Sequence, residues 1–316
     1  MKKFIVLLLS ILFTMSIMGC SAVSIDGSSP ASSDSANSQN MDGDKNGSIG
    51  LSISTMNNPF FVTLSEGADA KAKELGMNLI TVDAGDDSAK QASDIEDLVS
   101  KGIKVLIVNP VDSDAVAPAV ETAISKGIKV VSVDRVVNGV EVDCAIASDN
   151  VAGAKLAAEY LVELAGEDAK CVELEGVNGA SATIDRGEGF HQVADDKLNV
   201  AASQTANFNR AEGMSVMENL LQAHPDVQCV FAHNDEMALG AVEAVGGKDI
   251  IIAGFDATDD AINSIKEGRM AATVAQKPDL MGSTAVETAQ KLMAGESVEK
   301  VIAVEVKLIT KDNVNE

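Results

Sequence analysis

The residues best equipped for chemistry recur at one kind of place. Asp134-Arg135, Arg186, Asn234-Asp235, Asp256 and Gln276 stand just beyond short apolar runs, as do Ser54, Asn58 and Ser148. A carboxylate accepts hydrogen bonds through two oxygens, a guanidinium donates through a planar fork, and an amide does both. Such a mixture suits a ligand dense in hydroxyls, each of which is donor and acceptor. Aromatic residues stand beside these groups. Only 3% of the chain is aromatic and it has no Trp, yet Phe60 and Phe61 are adjacent. Phe208 and Phe255 also follow apolar runs. The C–H faces of a sugar ring can lie flat on such rings, so these four Phe are candidate walls. Carboxylate and guanidinium occur together, which argues against a ligand of strong net charge.

Taken singly, each residue has a plainer role. Asn58-Pro59 suits a helix start, with Asn as cap and Pro in the first turn. Asn234-Asp235 suits the cap of the next helix, Phe60 and Phe61 could be core, and Gln276 could be part of a turn. Their joint placement carries the functional reading. The sequence has no nucleophile elbow, no metal-ligand spacing and no phosphate loop, so neither enzyme, cofactor nor metal is expected. Cys144, Cys171 and Cys229 lie in apolar runs and read as buried thiols, with a Cys171–Cys229 bridge as the alternative. His191 and His224 read as surface residues and His233 as a loop neighbour.

The elements that must position these groups repeat. Val- and Ile-rich runs at Ile49–Ser54, Asn78–Val82, Val105–Val108, Lys129–Val133 and Cys144–Ala147 alternate with helical segments at Phe61–Leu75, Ala89–Ser100 and Ala115–Ser125. The runs are apolar throughout, as expected of strands covered on both faces of a parallel sheet. The pattern restarts with strands at Lys170–Leu174, Val200–Gln204, Cys229–Ala232, Ile250–Gly254 and Ala271–Ala275. Their helices fall at Val151–Leu164, Arg186–Ala194, Ala211–Ala223, Glu236–Val245 and Ala257–Glu267. A last helix, Leu280–Ala294, precedes an apolar run at Val301–Ile309. Two α/β halves imply two lobes, and ligands of parallel sheets bind beyond the carboxyl ends of the strands. No flexible linker separates the halves, so element ends would form the hinge.

The N-terminus reads differently. Lys2 and Lys3, an apolar run from Phe4 to Met18 and then Gly19-Cys20 form a secretory leader over residues 1–20. Residues 21–47 are Ser, Asp, Asn and Gly with few large apolar residues, a composition that stays a disordered tether. The formal charge of −24 argues against nucleic acid and against an anionic membrane surface.

From about Ser48 to Thr310 the chain resembles the type I periplasmic sugar-binding proteins of ABC transporters, most closely those that take D-ribose. The resemblance rests on Ser54-Thr55-Met56-Asn57-Asn58-Pro59-Phe60-Phe61, Asn109-Pro110-Val111-Asp112-Ser113-Asp114, Ile146-Ala147-Ser148-Asp149-Asn150, Arg186-Gly187-Glu188-Gly189-Phe190, Asn234-Asp235-Glu236-Met237-Ala238-Leu239-Gly240, Gly254-Phe255-Asp256 and Thr273-Val274-Ala275-Gln276. It implies an α/β protein of two Rossmann-like parallel-sheet lobes, residues 48–148 plus 277–305 and residues 149–276 plus 306–316. A three-segment hinge would cross near Ser148, Gln276 and Glu305. The sugar would stack between Phe60 and Phe61 on one side and Phe208 on the other, with Phe255 nearby. Polar contacts would come from Ser54, Asn58, Asp134, Arg135, Arg186, Asn234, Asp256 and Gln276, and Ser148 would serve hinge and pocket. Ile17-Met18-Gly19-Cys20 resembles the bacterial lipobox, which implies lipidation of Cys20 and a membrane anchor by lipid alone. The implied partners are D-ribose or a similar monosaccharide, such as an allose-like hexose, and an ABC transporter permease. The resemblance also implies a monomer. Presentation of the closed form to a sugar sensor is the alternative. Lactose-repressor-type proteins share the core, but carry a DNA-binding helix pair where this chain has a leader and tether. The chain departs from the family pattern at Thr183-Ile184-Asp185, at Asn209 after Phe208, and in a short Val245-Gly246-Gly247-Lys248 segment.

Overall fold

The computed structural model describes residues 47–315. The expected leader, the Cys20 lipidation site and all of the expected tether except Gly47 lie outside the described residues. Five parallel strands open the first lobe: β1 (Ser48–Ile53), β2 (Asn78–Asp83), β3 (Val105–Val108), β4 (Lys129–Val133) and β5 (Cys144–Ser148). The connecting helices are α1 (Pro59–Glu74), α2 (Ser88–Ser100) and α3 (Ala117–Ser125). All four residues of β3 are buried, because helices cover both faces of the sheet there. The edge strand β2 is only partly covered and is correspondingly mixed in composition.

The second lobe repeats the plan: α4 (Asn150–Ala165), β6 (Lys170–Glu175), α5 (Ser181–Lys197), β7 (Asn199–Thr205), α6 (Arg210–Ala223), β8 (Cys229–Ala232), α7 (Asp235–Val245), β9 (Ile251–Asp256), α8 (Asp259–Lys266) and β10 (Ala272–Ala275). The chain then runs through α9 (Pro278–Met293), β11 (Val301–Val304) and β12 (Lys307–Thr310). Strand order is β11-β5-β4-β3-β1-β2 in one sheet and β12-β10-β9-β8-β6-β7 in the other. Only β12 is antiparallel, against β10. Each sheet has an apolar layer on both faces.

The chain passes between the sheets after β5, after β10 and between β11 and β12. Helix α9 returns to the first lobe and packs on α1 so closely that a Cβ on Gly282 would lie 2.0 Å from the Leu64 carbonyl oxygen. The apolar run expected at Val301–Ile309 is therefore two strands. Glu305 and Val306 separate them, and they belong to different sheets.

Helix α5 starts at Ser181, five residues before its expected start at Arg186. Its first turn buries Ser181, Ala182 and Thr183, while Ile184 is exposed. Small and polar residues there face loops of the other lobe, which hides the usual apolar periodicity. Cys144, Cys171 and Cys229 are free and buried, although Cys171 and Cys229 stand directly opposite each other on β6 and β8.

Candidate functional site: a cavity between the lobes

Strand ends and helix starts of both lobes meet at one face. Several of the caps expected there form. Asn58 accepts from the Phe60 amide at 2.9 Å, and Asn234 accepts from the Met237 amide at 3.0 Å. Pro59 fills the first turn of α1. Capping thus fixes the backbone from which Phe60 and Phe61 project, and the two rings meet edge to face with centroids 5.2 Å apart.

Between the lobes lies a narrow space with a cavity volume of about 10 Å³. Asn58, Phe60, Phe61, Asp134 and Arg135 line it from the first lobe, and Ala182, Arg186, Phe208, Asn234 and Asp256 from the second, with Gln276 at a crossing. A space of that size holds about one water molecule, so a sugar-sized ligand requires the lining of the two lobes to move apart. The lobes are latched beside it. The Ser113 amide donates to the Gly179 carbonyl at 2.9 Å, and the Val136 amide to Ser181 Oγ at 3.0 Å.

The charged groups are two carboxylates and two guanidiniums, so the lining balances. Arg135 Nη1 donates to the Pro110 carbonyl at 2.8 Å, and its guanidinium lies over Phe61 and Phe208 at 5.2 and 5.4 Å. Asp134 Oδ2 accepts from Asn109 Nδ2 at 3.2 Å and lies 3.7 Å from Arg135 Nε. Arg186 Nε donates to Asn150 Oδ1 at 2.9 Å, and Nη1 lies 3.8 Å from Asp256 Oδ1. Gln276 Nε2 donates to Asp256 Oδ1 at 2.7 Å. Burial pushes the Asp134 and Asp256 carboxyls above the ordinary range although Arg135 and Arg186 pull Asp134 the other way, as Arg186 does Asp256. Burial likewise pulls both guanidiniums below their ordinary value.

Three buried polar atoms of the lining have no hydrogen-bond partner in the protein: Asp134 Oδ1, Arg135 Nε and Gln276 Oε1. They are two acceptors and one donor. A buried polar atom left unpaired costs about 1–3 kcal/mol, so the cavity is built for a partner that both donates and accepts. Backbone strain concentrates here too. Asp134, Phe208 and Asp256 have φ of 64°, 56° and 127°, conformations that cost non-glycine residues roughly 1–3 kcal/mol each. Phe208 also needs Gly176, where a Cβ would lie 2.0 Å from its ring.

Three of the expected site residues stand apart from the lining. Phe255 is fully buried in the second lobe's core, and its ring face supports the Arg186 guanidinium at 3.9 Å. Ser54 is buried, with its amide on Asn109 Oδ1 at 3.1 Å. Ser148 ends β5 at the first crossing, paired with Val304 of β11. Both of Asn234's polar ends are engaged within the protein, the second donating to the Phe208 carbonyl at 3.2 Å. Other contributors were not anticipated. Asn109 braces Asp134, Gln91 braces Asn109 through its carbonyl at 2.8 Å, and Ala182 lines the cavity. The strand-end position of Asn109 is a signal in the sequence; Gln91 and Ala182 carry none. His233, expected in a loop, is fully buried. No cluster of metal-ligating side chains occurs among the described residues. No helix among them is long and apolar enough to cross a membrane.

Two parallel-sheet lobes clasping a charge-balanced polar cavity define a binding protein of the solute-capturing kind. The chain belongs to the periplasmic binding protein family, whose domain matches residues 49–297. It is 49% identical over 304 residues to the ribose import binding protein of Bacillus subtilis, covering 96% of this chain and 98% of that protein. It is 48% identical to the ribose import binding protein of Escherichia coli, covering 83% and 90%. Among solved structures, an ABC transporter solute binding protein from Bacillus halodurans with bound myo-inositol superposes with a TM-score of 0.81 at 32% identity, covering 86% of this chain and 96% of that one. One from Actinobacillus succinogenes with bound D-allose gives 0.79 at 29% identity, covering 85% and 99%. The family is one of binding proteins and not of enzymes, and its place is outside the cytoplasm.

Proposed function

We propose that the protein captures D-ribose in the interlobe cavity and delivers it to an ABC permease. The unpaired Asp134 Oδ1, Arg135 Nε and Gln276 Oε1 carry this reading. Sugar hydroxyls satisfy acceptors and donors alike, while the balanced charges disfavour acids and amines. Phe60 and Phe61 against Phe208 supply apolar faces on opposite lobes. The relatives named for ribose import support the choice of sugar. An allose-like hexose is the second reading, favoured by the D-allose complex among the structural neighbours.

Ribose enters between open lobes, bonds both and shifts the equilibrium toward the closed form. The moving bodies are residues 48–148 with 277–305 and residues 149–276 with 306–316. Asn58, Phe60, Phe61, Asp134 and Arg135 act from the first. Arg186, Phe208, Asn234 and Asp256 act from the second, Gln276 from the crossing, and Phe255 as the support beneath Arg186. Ser54 and Ser148 hold the strand ends on which these groups stand. The protein works as a monomer, exported by its leader and held at the membrane by a lipid on Cys20, with residues 21–47 as tether.

Thermal unfolding with a panel of monosaccharides tests the ligand. At a hundred times Kd a ligand adds about 2.7 kcal/mol, which at roughly 2–4 °C per kcal/mol raises Tm by about 5–10 °C. Ribose should do so and maltose should not. Equal shifts with ribose and with disaccharides would sink the reading.

A further inference from the structure

Behind the cavity wall, four ionisable side chains are strung together. Glu173, in the middle of β6, is fully buried. Its Oε1 accepts from His233 Nε2 at 2.8 Å, and its Oε2 lies 3.1 Å from His191 Nε2 and accepts from Ser203 Oγ. His191 Nδ1 faces Asp195 Oδ1 at 2.7 Å. The chain has three His, and two of them meet on this one carboxylate. A buried carboxylate in a sheet costs several kcal/mol unless paired, and an apolar residue would fill the place without that cost.

The far end of the string reaches the sugar site. The His233 carbonyl accepts from Arg186 Nη1. Arg186 is otherwise hydrogen-bonded to Asn150, lies 3.8 Å from Asp256 Oδ1 and is laid on the Phe255 ring. His233 stands between β8 and α7, and its ring is tied to β6 through Glu173. Tying the ring fixes the carbonyl, and the carbonyl aims the guanidinium. Gly187 of α5 lies against the pair, 3.6 Å from His233 Cε1 and 3.9 Å from Glu173 Oε1 by its would-be Cβ. We infer that Glu173 and His233 are positioning residues for Arg186, and that His191 links this pair to solvent. The inference rests on the sugar-site reading of Arg186.

The groups facing Glu173 are His233, Ser203 on β7 and His191 on α5; those facing His191 are Glu173 and Asp195. Both nitrogens of His191 face carboxylates, and only the imidazolium donates to both. Partial burial works against that charge, but Asp195 and Glu173 outweigh it and raise His191 above the usual imidazole value. Burial also opposes the Glu173 charge, yet His233, Ser203 and His191 hold the carboxyl below its ordinary range.

A double-mutant cycle on ribose affinity separates positioning from mere support. Glu173→Gln should weaken ribose binding about tenfold, the worth of about 1.4 kcal/mol from a misaimed charge-assisted bond. In an Arg186→Lys background, which has no Nη1 to aim, the same change should alter Kd less than about twofold. His233→Gln, which keeps a donor toward Glu173, should bind nearly as the wild type. NMR of the unmutated full chain gives a second readout that needs no variant to fold. Ribose should move the imidazole signals of His191 and His233 and leave His224 still. The same loss in both backgrounds, or ribose binding with all three imidazoles unmoved, overturns the inference. Wild-type protein that binds no ribose overturns the sugar reading itself, and this inference with it.

Discussion

Replacing Asp134 by Asn tests whether the cavity works by charge balance and unpaired acceptors. The side chain keeps its shape but loses one acceptor and its charge. Two guanidiniums, Arg135 and Arg186, then face one carboxylate, Asp256. At about 4 Å and an effective dielectric near 20, the lost attraction is about 4 kcal/mol, for a contact of 3.7 Å between Asp134 Oδ2 and Arg135 Nε. In the free protein, relief of the carboxylate's burial offsets much of this, since burial already pushes Asp134 toward its neutral form. In the complex no such relief remains to be gained. A sugar hydroxyl loses a charge-assisted bond to Oδ1 worth about 1.5–3 kcal/mol, so ribose affinity should fall about 10- to 150-fold. Titration calorimetry at constant pH reads this, with circular dichroism and Tm to show that the variant is folded. A change under about threefold in a folded variant would refute the reasoning.

Two further changes probe neighbouring features. Gly176→Ala puts a Cβ where the Phe208 ring lies, 2.0 Å away; the ring must move into the cavity, and ribose affinity should drop at least tenfold, about 1.4 kcal/mol, with little loss of secondary structure by circular dichroism. Asp235 is fully buried, and burial raises it to about 7 against the bonds from Thr273 and Thr258. A raised carboxyl stabilises the fold fully below its unfolded value and loses that contribution as pH rises through the folded one. The stability of wild type relative to Asp235→Asn should therefore fall by up to about 1.4 kcal/mol per pH unit between about pH 4 and 7. Urea unfolding of both proteins across that range checks it, and parallel profiles would contradict it.

The two-lobe fold was legible because the central strands of each sheet are short apolar runs covered on both faces. Both sheets appear where Val- and Ile-rich runs alternate with helical segments. Part of the cavity lining was legible for a related reason: residues at the carboxyl ends of parallel strands lie at the cleft, so Asp134, Arg135, Asp256 and Gln276 could be singled out by position alone. Position does not give direction. Phe255 was expected just beyond a strand ending at Gly254, but β9 runs on to Asp256 and the Phe255 ring turns into the core, where it carries Arg186 instead of lining the space. The α5 start was obscured because its first turn packs against another lobe, where small polar residues replace an apolar stripe. The bracing side chains were harder still. Gln91 lies in α2, remote in sequence from Asn109, and only packing reveals their bond. Glu173 did leave a trace, a charged residue amid Cys171, Val172 and Leu174, since a fully buried Glu is seldom unpaired. Its partners on α5 and beyond β8 could not be paired with it until the sheet order was known.

Calorimetric titration with D-ribose, set beside allose, galactose, xylose and arabinose, shows whether one ribose is held between the lobes. One-to-one binding is expected, tightest for ribose, with a negative heat-capacity change from the apolar faces buried on closure. No heat with ribose and tight binding of a charged ligand, such as an amino acid or a sugar phosphate, would contradict it.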